Sequence, residues 1–371
     1  MAIPDTIDRF APSPYPRRAR EGSILFGCAL LLSALSVGTS PVRGQEEGRG
    51  FPNPTVGPWP GGFAATSEAT STTEGALTLL LPFGARGIAM GRAMTAVPGP
   101  ESVFWNPAGL GQLEGGHITV LRGETLAGEA TSASLLLTRQ PLGAVALTYQ
   151  FLDAGGGSAR DDQGNFVGNL SYTKHLAIVS FGTHLLRGLD AGLNFKVFQD
   201  RESCRGLCPD GSGQVGTTYM VDAGLQAVPF PDLPLRLGVM VAHLGPRLQI
   251  INVEQSDPLP TRIRVGAGYE VLRHFLHDEG MELWVVGEME DRWRSPGSPV
   301  LYLGSEFLAG EGDVFFLRTG YGRGSLGAAS GASVGLGMRY DRFDLSIAKA
   351  LTGVALDGSS EPAHVSFGVV F

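Results

Sequence analysis

The feature that most limits the fold of this chain is a series of short segments, from residue 116 to the last residue, in which apolar and polar residues alternate. Alternation with a period of two is typical of β-strands whose two faces meet different surroundings. Beyond position 40, no run reaches the ~18 consecutive apolar residues that a membrane-spanning helix needs. The predicted strands, fourteen in all, are 116–122, 130–138, 142–151, 174–185, 190–200, 217–227, 233–244, 259–270, 281–291, 299–308, 313–321, 330–340, 342–349 and 362–371.

Alternation alone does not distinguish a membrane barrel from a soluble β-sandwich. In residues 262–270, arginine, glycine and glutamate at even positions interleave with Ile263, Val265, Ala267 and Tyr269. The connections between predicted strands alternate between long and short, as they do in barrels with long extracellular loops and short periplasmic turns. The sequence therefore predicts an all-β membrane protein, an antiparallel outer-membrane β-barrel of about fourteen strands over residues 116–371.

The last predicted strand carries a further pattern. Val365, Phe367, Val369 and the terminal Phe371 fall on one face of this strand. An aromatic residue that closes an alternating strand resembles the signal read by the machinery that assembles outer-membrane barrels. We therefore expect outer-membrane lipid and the barrel assembly machinery among the partners.

The N-terminus predicts export to the cell envelope. Arg17, Arg18 and Arg20 precede an apolar run, residues 24–37, that is long enough for the hydrophobic region of a signal peptide and short for a spanning helix. Cleavage after Gly44 would give a signal peptide of residues 1–44. Residues 45–65 are rich in glycine and proline and are predicted to form a linker.

Charge and cysteine content limit the partners of the exported chain. Removal of residues 1–44 leaves 23 basic against 33 acidic residues without a basic cluster, which argues against a nucleic-acid partner. It also leaves Cys204 and Cys208 as the only cysteines. In an exported protein this pair predicts a disulfide rather than a metal site, because zinc would need two further ligands. We predict no metal and no cofactor.

Residues 66–115 differ from the strands that follow. Residues 66–81 can form a short helix that Pro82 ends, and glycines and prolines interrupt any regular element over residues 84–110. Asn106 and Pro107 favour a turn, and Gly109 allows a further bend. A compact, irregular and apolar segment needs a container, so we predict that residues 66–115 form a plug, or hatch, inside the barrel.

A family resemblance lies in this predicted plug. The pattern Gly-x-Arg-x-x-x-Met-Gly-x-Ala, followed by an aromatic residue and Asn-Pro-Ala-Gly-Leu, is carried by Gly84, Arg86, Met90, Gly91, Ala93, Trp105, Asn106, Pro107, Ala108, Gly109 and Leu110. It resembles the N-terminal region of PorV/PorQ-like proteins, within the FadL-like superfamily of outer-membrane β-barrels. The resemblance implies a non-enzymatic protein of the Gram-negative outer membrane.

The resemblance leaves two functions open. PorV/PorQ-like members serve protein secretion and surface attachment, which implies secretion-system components as partners. FadL-like members move long-chain fatty acids and other hydrophobic small molecules through the barrel. Candidate contacts for such a ligand are Phe83, Met90, Met94, Phe104 and Trp105, which would equally suit packing of the plug.

One enzymatic alternative is an exported esterase. Residues 331–335 match the nucleophile-elbow pattern around Ser333, and Asp344 or Asp357 and then His364 follow in the order of an α/β-hydrolase. The elbow requires a strand, a tight turn and a helix, whereas Ser333 lies within a predicted strand. We therefore predict that the chain is not an enzyme.

Two weaker patterns complete the sequence. Residues 153–165 carry acidic residues among glycines, which suits a solvated loop and, less well, a Ca²⁺ site. Aromatic residues near strand ends predict an interfacial girdle formed by Tyr149, Phe151, Tyr269, Trp284, Trp293, Tyr302, Tyr321 and Tyr340.

Overall fold

The structure is a computed structural model that describes residues 74–125, 127–139, 141–161, 163–208, 213–250, 256–275, 280–323, 331–351 and 363–371. The predicted signal peptide, the predicted linker and residues 66–73 of the predicted plug lie outside the described residues. Within the described ranges, each helix is too short or too polar to cross a membrane.

Antiparallel strands form a closed barrel in which each strand pairs with its neighbours in sequence and the last strand pairs with the first. The strands are β1 (Gly116–Thr125), β2 (Gly128–Arg139), β3 (Gly143–Arg160), β4 (Phe166–Leu186), β5 (Leu189–Gly206), β6 (Val215–Ala227), β7 (Leu235–Leu244), β8 (Arg262–Glu270), β9 (Met281–Arg292), β10 (Val300–Ala309), β11 (Val314–Arg323), β12 (Gly331–Tyr340), β13 (Phe343–Ala350) and β14 (His364–Val370). At the seam, Gly116 N donates to Phe371 O at 2.7 Å, and Phe371 N donates to Gly116 O at 2.9 Å. The predicted barrel of fourteen strands is confirmed.

The two faces of the barrel wall have opposite chemistry. On β8, Arg262 and Arg264 point inward and are buried, whereas Val265 between the inward positions is exposed on the outside. Leu237 and Leu303 are also exposed on the outer face. An apolar exterior and a polar interior fit a wall that faces lipid, and they exclude the soluble sandwich, in which this orientation would be reversed.

The predicted aromatic girdle is correct for some residues and wrong for others. Tyr149, Tyr321 and Tyr340 are exposed on the outer face. Tyr302 is instead buried inside the barrel, and Trp284 shares the inward face of β9 because it pairs with the buried Glu306. Alternation divides the residues of a strand into two faces, but the face that points inward is known only once the strand is placed in the barrel.

Three strands are longer than the sequence predicted. β3, β4 and β5 continue through residues that we expected to form long loops, 152–173 and 201–216, so that β3 and β4 stay paired as far as Arg160 and Phe166. The residues near this tip are polar and rich in glycine, which is why they resembled a loop. The strands therefore form a sheet that extends beyond the neighbouring strand ends on the side of the long connections.

Residues 74–115, which we call the inner segment, pack against the inward face of the barrel. They contain three short 3-10 helices, Leu77–Leu80, Pro100–Val103 and Pro107–Gln112, and one short α-helix, α1 (Ala85–Ala89). The helix predicted over 66–81 is thus a single 3-10 turn within its described part. Met90, Met94 and Leu110 are completely buried. Whether the segment closes the pore as a plug stays a prediction.

The hydrolase alternative does not fit the fold. Ser333 lies within β12, without the turn and helix of a nucleophile elbow, and its hydroxyl donates to Ala89 O at 3.2 Å. Asp344 lies on β13, at the end far from Ala350, the residue that pairs with Ser333. There it forms an ion pair with Arg339. Asp357 lies outside the described residues.

Candidate functional site

Seven inward-facing glycines, which we call the glycine seats, hold the inner segment against the wall. A Cβ atom built on any of them would come within 3 Å of the inner segment, mostly of its main chain. Glycine is the residue that permits such close approach of two backbones. The seats lie on β4, β5, β6, β7, β10, β11 and β12 and are Gly182, Gly192, Gly224, Gly238, Gly304, Gly320 and Gly335. Half of the strands therefore contact the inner segment directly at a glycine.

A buried carboxylate organises the start of α1. Glu101 accepts hydrogen bonds from Arg86 N at 3.1 Å and Gly87 N at 2.9 Å, and Ser366 Oγ of β14 donates to it at 3.2 Å. Ser366 Oγ also accepts from Ala85 N at 2.8 Å. Burial raises the pKa of Glu101, while the hydrogen bonds from the two main-chain N–H groups oppose that shift. These bonds satisfy N–H groups at the helix start that have no partner within the helix.

Arg86, predicted from the motif, connects the inner segment to the wall. Its Nε and Nη2 donate to the two oxygens of Glu306 on β10, at 2.8 and 2.6 Å, and its Nη1 donates to Pro98 O at 2.7 Å. Arg318 on β11 donates to the same Glu306 carboxylate. A buried carboxylate held by two guanidinium groups is costly to disrupt, because loss of either charge leaves another one unpaired.

Asn106, the first residue of the Asn-Pro-Ala-Gly motif, bonds to both the inner segment and the wall. Its Nδ2 donates to Thr95 O at 2.8 Å and to Leu225 O of β6 at 3.1 Å. Its Oδ1 accepts from Ala108 N at 3.2 Å and so caps the 3-10 helix Pro107–Gln112. The motif therefore fixes the position of the chain inside the barrel.

The centre of the inner segment is held by another wall carboxylate. Glu288 on β9 accepts from Met94 N at 2.8 Å and Thr95 N at 2.7 Å through one oxygen. The preceding Arg92 has a positive φ of 75°, an uncommon conformation for a residue other than glycine. Its guanidinium lies 5.2 Å from the centre of the Tyr302 ring. Arg92 also lines a cavity between the inner segment and the barrel wall.

That cavity has a volume of about 50 Å³ and lies between the inner segment and strands β3, β4, β5, β7 and β8. Part of its lining is apolar: Leu79, Leu81, Phe83, Phe104, Trp105, Leu152, Leu176 and Phe198. The remainder is polar or cationic: Thr78, Arg92, Gln150, Lys174, His175, Lys196, His243 and Arg264. Phe83 and Phe104 meet edge to face, with ring centres 5.4 Å apart. The cavity is therefore amphipathic.

The five predicted ligand contacts divide between two environments. Phe83, Phe104 and Trp105 line the cavity. Met90 and Met94 instead pack with Val286 and Tyr302 in a buried cluster to which Trp105 also belongs. The structure thus brings three of the five to one cavity, and their contact with a ligand stays a prediction.

Several residues that hold the site were not identified from the sequence. Glu101, Glu288 and Glu306 are separated from their partners by 12 to 265 positions. The alternating pattern places Glu288 and Glu306 on an inward face, and that is the signal that could have found them. It does not identify the N–H groups that they meet.

The other predicted sites lie outside the barrel interior. Cys204 and Cys208 are joined by a disulfide near the end of β5, with their Cα atoms 6.2 Å apart. Asp161, in the loop considered for Ca²⁺, accepts hydrogen bonds from Gln163 N, Asn165 N and Asn165 Nδ2, and the Asn165 side chain lowers the pKa of Asp161. No cluster of three potential metal ligands occurs among the described residues.

The last predicted strand presents Val365 and Phe367 on the outer face of the barrel, and the side chain of Phe371 is also exposed. Recognition of this strand by the assembly machinery stays a prediction.

The barrel is similar to solved structures that are described as transporters and channels. The toluene transporter TbuX of Ralstonia pickettii is 14% identical, with a TM-score of 0.51 over 78% of this chain and 98% of that chain. The monoaromatic hydrocarbon channel CymD is 12% identical, with a TM-score of 0.52 over 81% and 99%. A TodX deltaS2S3 mutant, also described as a monoaromatic hydrocarbon channel, is 12% identical, with a TM-score of 0.51 over 79% and 100%.

These similarities concern the fold. No protein-family model and no curated protein sequence matches the chain. The expected antiparallel barrel is confirmed at the level of the fold, and the assignment to FadL-like or PorV/PorQ-like proteins stays a prediction.

Proposed function

We propose that this protein is an outer-membrane channel for small hydrophobic compounds and that the inner segment controls passage. The observation that carries the proposal is that apolar and aromatic side chains converge on the cavity between the inner segment and the wall. The exterior of the barrel that encloses this cavity suits lipid. Small-molecule sites in proteins combine apolar surface with polar groups that orient the ligand, and half of the residues that line this cavity are apolar. The similarity in fold to structures described as hydrocarbon channels supports the same conclusion.

Passage requires the inner segment to move. An apolar cavity of about 150 Å³ holds benzene, whereas the cavity here has about 50 Å³. A hydrocarbon therefore has to displace side chains such as Phe104, which lines the cavity and packs against three buried clusters of the interior in addition to Phe83. Such a movement has to break the close contacts at the glycine seats and the Arg86–Glu306 ion pair.

Uptake of radiolabelled toluene by Gram-negative cells that express the chain tests the proposal. We expect faster uptake than in cells without the protein, and a slower rate for Phe83→Glu, which places a charge among the apolar lining residues. Phe315→Leu is the control, because Phe315 is 59% exposed on the outer face, whereas Phe83 is 3% exposed. Uptake that is equal with and without the protein, at equal amounts in the outer membrane, would contradict channel activity.

A second candidate function is a secretion-associated role, as the resemblance to PorV/PorQ-like proteins implies. The extended sheet of β3, β4 and β5 favours it, because this sheet offers exposed side chains such as Phe166 and Leu207 beyond the barrel wall. Replacement of residues 154–165 by a short turn should reduce the amount of surface-attached protein in the native host if this role is correct. Toluene uptake should then stay unchanged, which separates the two candidates.

A further inference from the structure

We propose that the cavity between the inner segment and the barrel wall binds one compact anion, of the size of a halide or a carboxylate group. This anion bridges the inner segment to the wall. The site uses the polar and cationic lining of the same cavity whose apolar lining carries the proposed channel activity, and its test does not rely on transport. Arg92 and Trp105 contribute from the inner segment, and Lys196, His243 and Arg264 contribute from the wall.

The charges around the cavity are of one sign. Arg92, Lys174, Lys196 and Arg264 line it, and no aspartate or glutamate is among its lining residues. The carboxylates that pair with three of these cations, Asp200, Asp222 and Glu290, are outside the lining. Arg92 has no ion-pair partner within 4 Å among the described residues; its Nη2 donates to Leu80 O. The cavity therefore presents positive charge to whatever occupies it.

Several polar atoms of the lining lack a hydrogen-bond partner. Within the described part of the chain, Thr78 Oγ1, Arg92 Nε and Trp105 Nε1 are buried without a hydrogen bond. His243 Nδ1 also lacks one, and Asp222 Oδ1 lies 3.8 Å from it. Arg92 Nε and Trp105 Nε1 can only donate. Trp105 is 4% exposed and His243 is 5% exposed, so bulk water does not reach these groups freely. Buried donors without an acceptor are rare and call for an explanation.

The wall is distorted at this point in a way that places His243 in the cavity. His243 has a positive φ of 59°, and the pairing of β6 with β7 shifts register between Val221 and Ala223. The main-chain N–H of His243 donates to Asp222 Oδ1 at 2.8 Å. Positive φ at a residue other than glycine costs free energy and occurs often at functional sites. A bulge of this kind redirects a side chain.

The chemistry of the lining distinguishes an anion from other occupants. In the observed arrangement a hydrocarbon would leave the donors unpaired, and the volume of about 50 Å³ is too small for an aromatic ring until side chains move. Water could accept from the donors and could donate to Thr78 Oγ1, but it carries no charge to offset that of Arg92 and the neighbouring cations. A compact anion accepts several hydrogen bonds and brings no hydrogen. It also pairs with the charge of Arg92.

Bromide is the probe that tests the site. We expect the purified full-length chain in detergent to unfold at a higher temperature in sodium bromide than in sodium gluconate of equal ionic strength. We also expect an anomalous bromide peak inside the cavity in crystals grown in bromide. Equal unfolding temperatures together with an empty or water-filled cavity would overturn the proposal.

Two conservative variants and a control make the test specific. Trp105→Phe keeps an aromatic ring and removes the indole donor, and Arg92→Gln removes the unpaired charge. Each should weaken bromide binding roughly tenfold, the equivalent of one hydrogen bond to a charged group. Arg122→Gln is the control, because Arg122 is exposed and pairs with Glu129 on the surface. Heat-modifiable migration verifies that each variant is a folded barrel, and equal bromide affinity in all folded variants would also contradict the site.

Competition between bromide and carboxylates identifies the source of the anion. If sodium octanoate displaces bromide at lower concentration than sodium acetate does, the site holds the carboxylate of an amphipathic solute. If acetate and octanoate compete equally, the anion is a free ion. Both results retain the compact-anion site, and failure of every anion to compete with bromide argues against it.

Discussion

The glycine seats give the sharpest test of how the inner segment is held. On Gly182, a Cβ would lie 2.6 Å from Pro107 O and 2.9 Å from Gly111 N, both main-chain atoms that cannot rotate away. Ordinary contact begins at 3.4 Å, so Gly182→Ala forces the inner segment and β4 apart by about 0.8 Å, the difference between 3.4 and 2.6 Å. Gly268 is the matched control, because it faces inward on β8 and its nearest neighbour, Val286 Cγ2, is 3.5 Å away.

The two substitutions are expected to change the free energy of unfolding in opposite directions. Overpacking of a buried site costs about 1–3 kcal/mol. Replacing glycine by alanine where the site has room stabilises by about 0.4–1 kcal/mol, because the unfolded chain loses conformational freedom. We therefore expect Gly182→Ala to be less stable than the parent chain and Gly268→Ala to be as stable or slightly more stable.

Guanidinium unfolding in a detergent that allows refolding measures this difference, with the toluene uptake rate as a second observable. Displacement of the inner segment by Gly182→Ala should also change the uptake rate, whereas Gly268→Ala should not. Equal stabilities for the two variants would refute the role of Gly182 as a seat for the inner segment.

Three further outcomes are expected. Glu306→Gln should reduce the free energy of unfolding by about 3–5 kcal/mol, because the buried Arg318 and the partly buried Arg86 lose their carboxylate. Glu129→Gln, which breaks the exposed pair with Arg122, should change it by about 0–1 kcal/mol, and similar losses in the two variants would contradict a structural role for Glu306. Asn106→Ala should cost about 1–3 kcal/mol in the same measurement, since buried carbonyl groups lose their donor. Intact-mass analysis after alkylation under non-reducing conditions should show Cys204 and Cys208 unmodified, and the mass of two alkyl groups would show that the disulfide is absent in the exported protein.

Much of the fold could be predicted from the sequence because barrel strands have a local signal. Residues 262–270 alternate between polar and apolar, and the structure places their polar side chains inward. The extension of β3–β5 could not be predicted, because residues 154–160 are small or polar and have no apolar face to bury. Pairing with the adjacent strand, rather than burial, keeps them extended.

The site was predictable only in part. The motif drew attention to Arg86 and Asn106, and both connect the inner segment to the wall. Their partners could not be predicted, because a single sequence gives no measure of which inward residues meet across the lumen. The excess of glycine had a physical cause in close backbone approach, but composition does not indicate that Gly182 needs to be glycine and that Gly268 does not.

The position of the inner segment also limits the order in which the molecule can be built. The segment precedes β1 in the chain, yet it touches glycines on strands from β4 to β12. Once Gly116 and Phe371 have joined the two edges, a segment of this size has no lateral entrance. We therefore expect residues 74–115 to be enclosed while the wall is still an open sheet, so that a poorly fitting segment delays edge joining and exposes the unfinished protein to proteolysis before it reaches the membrane.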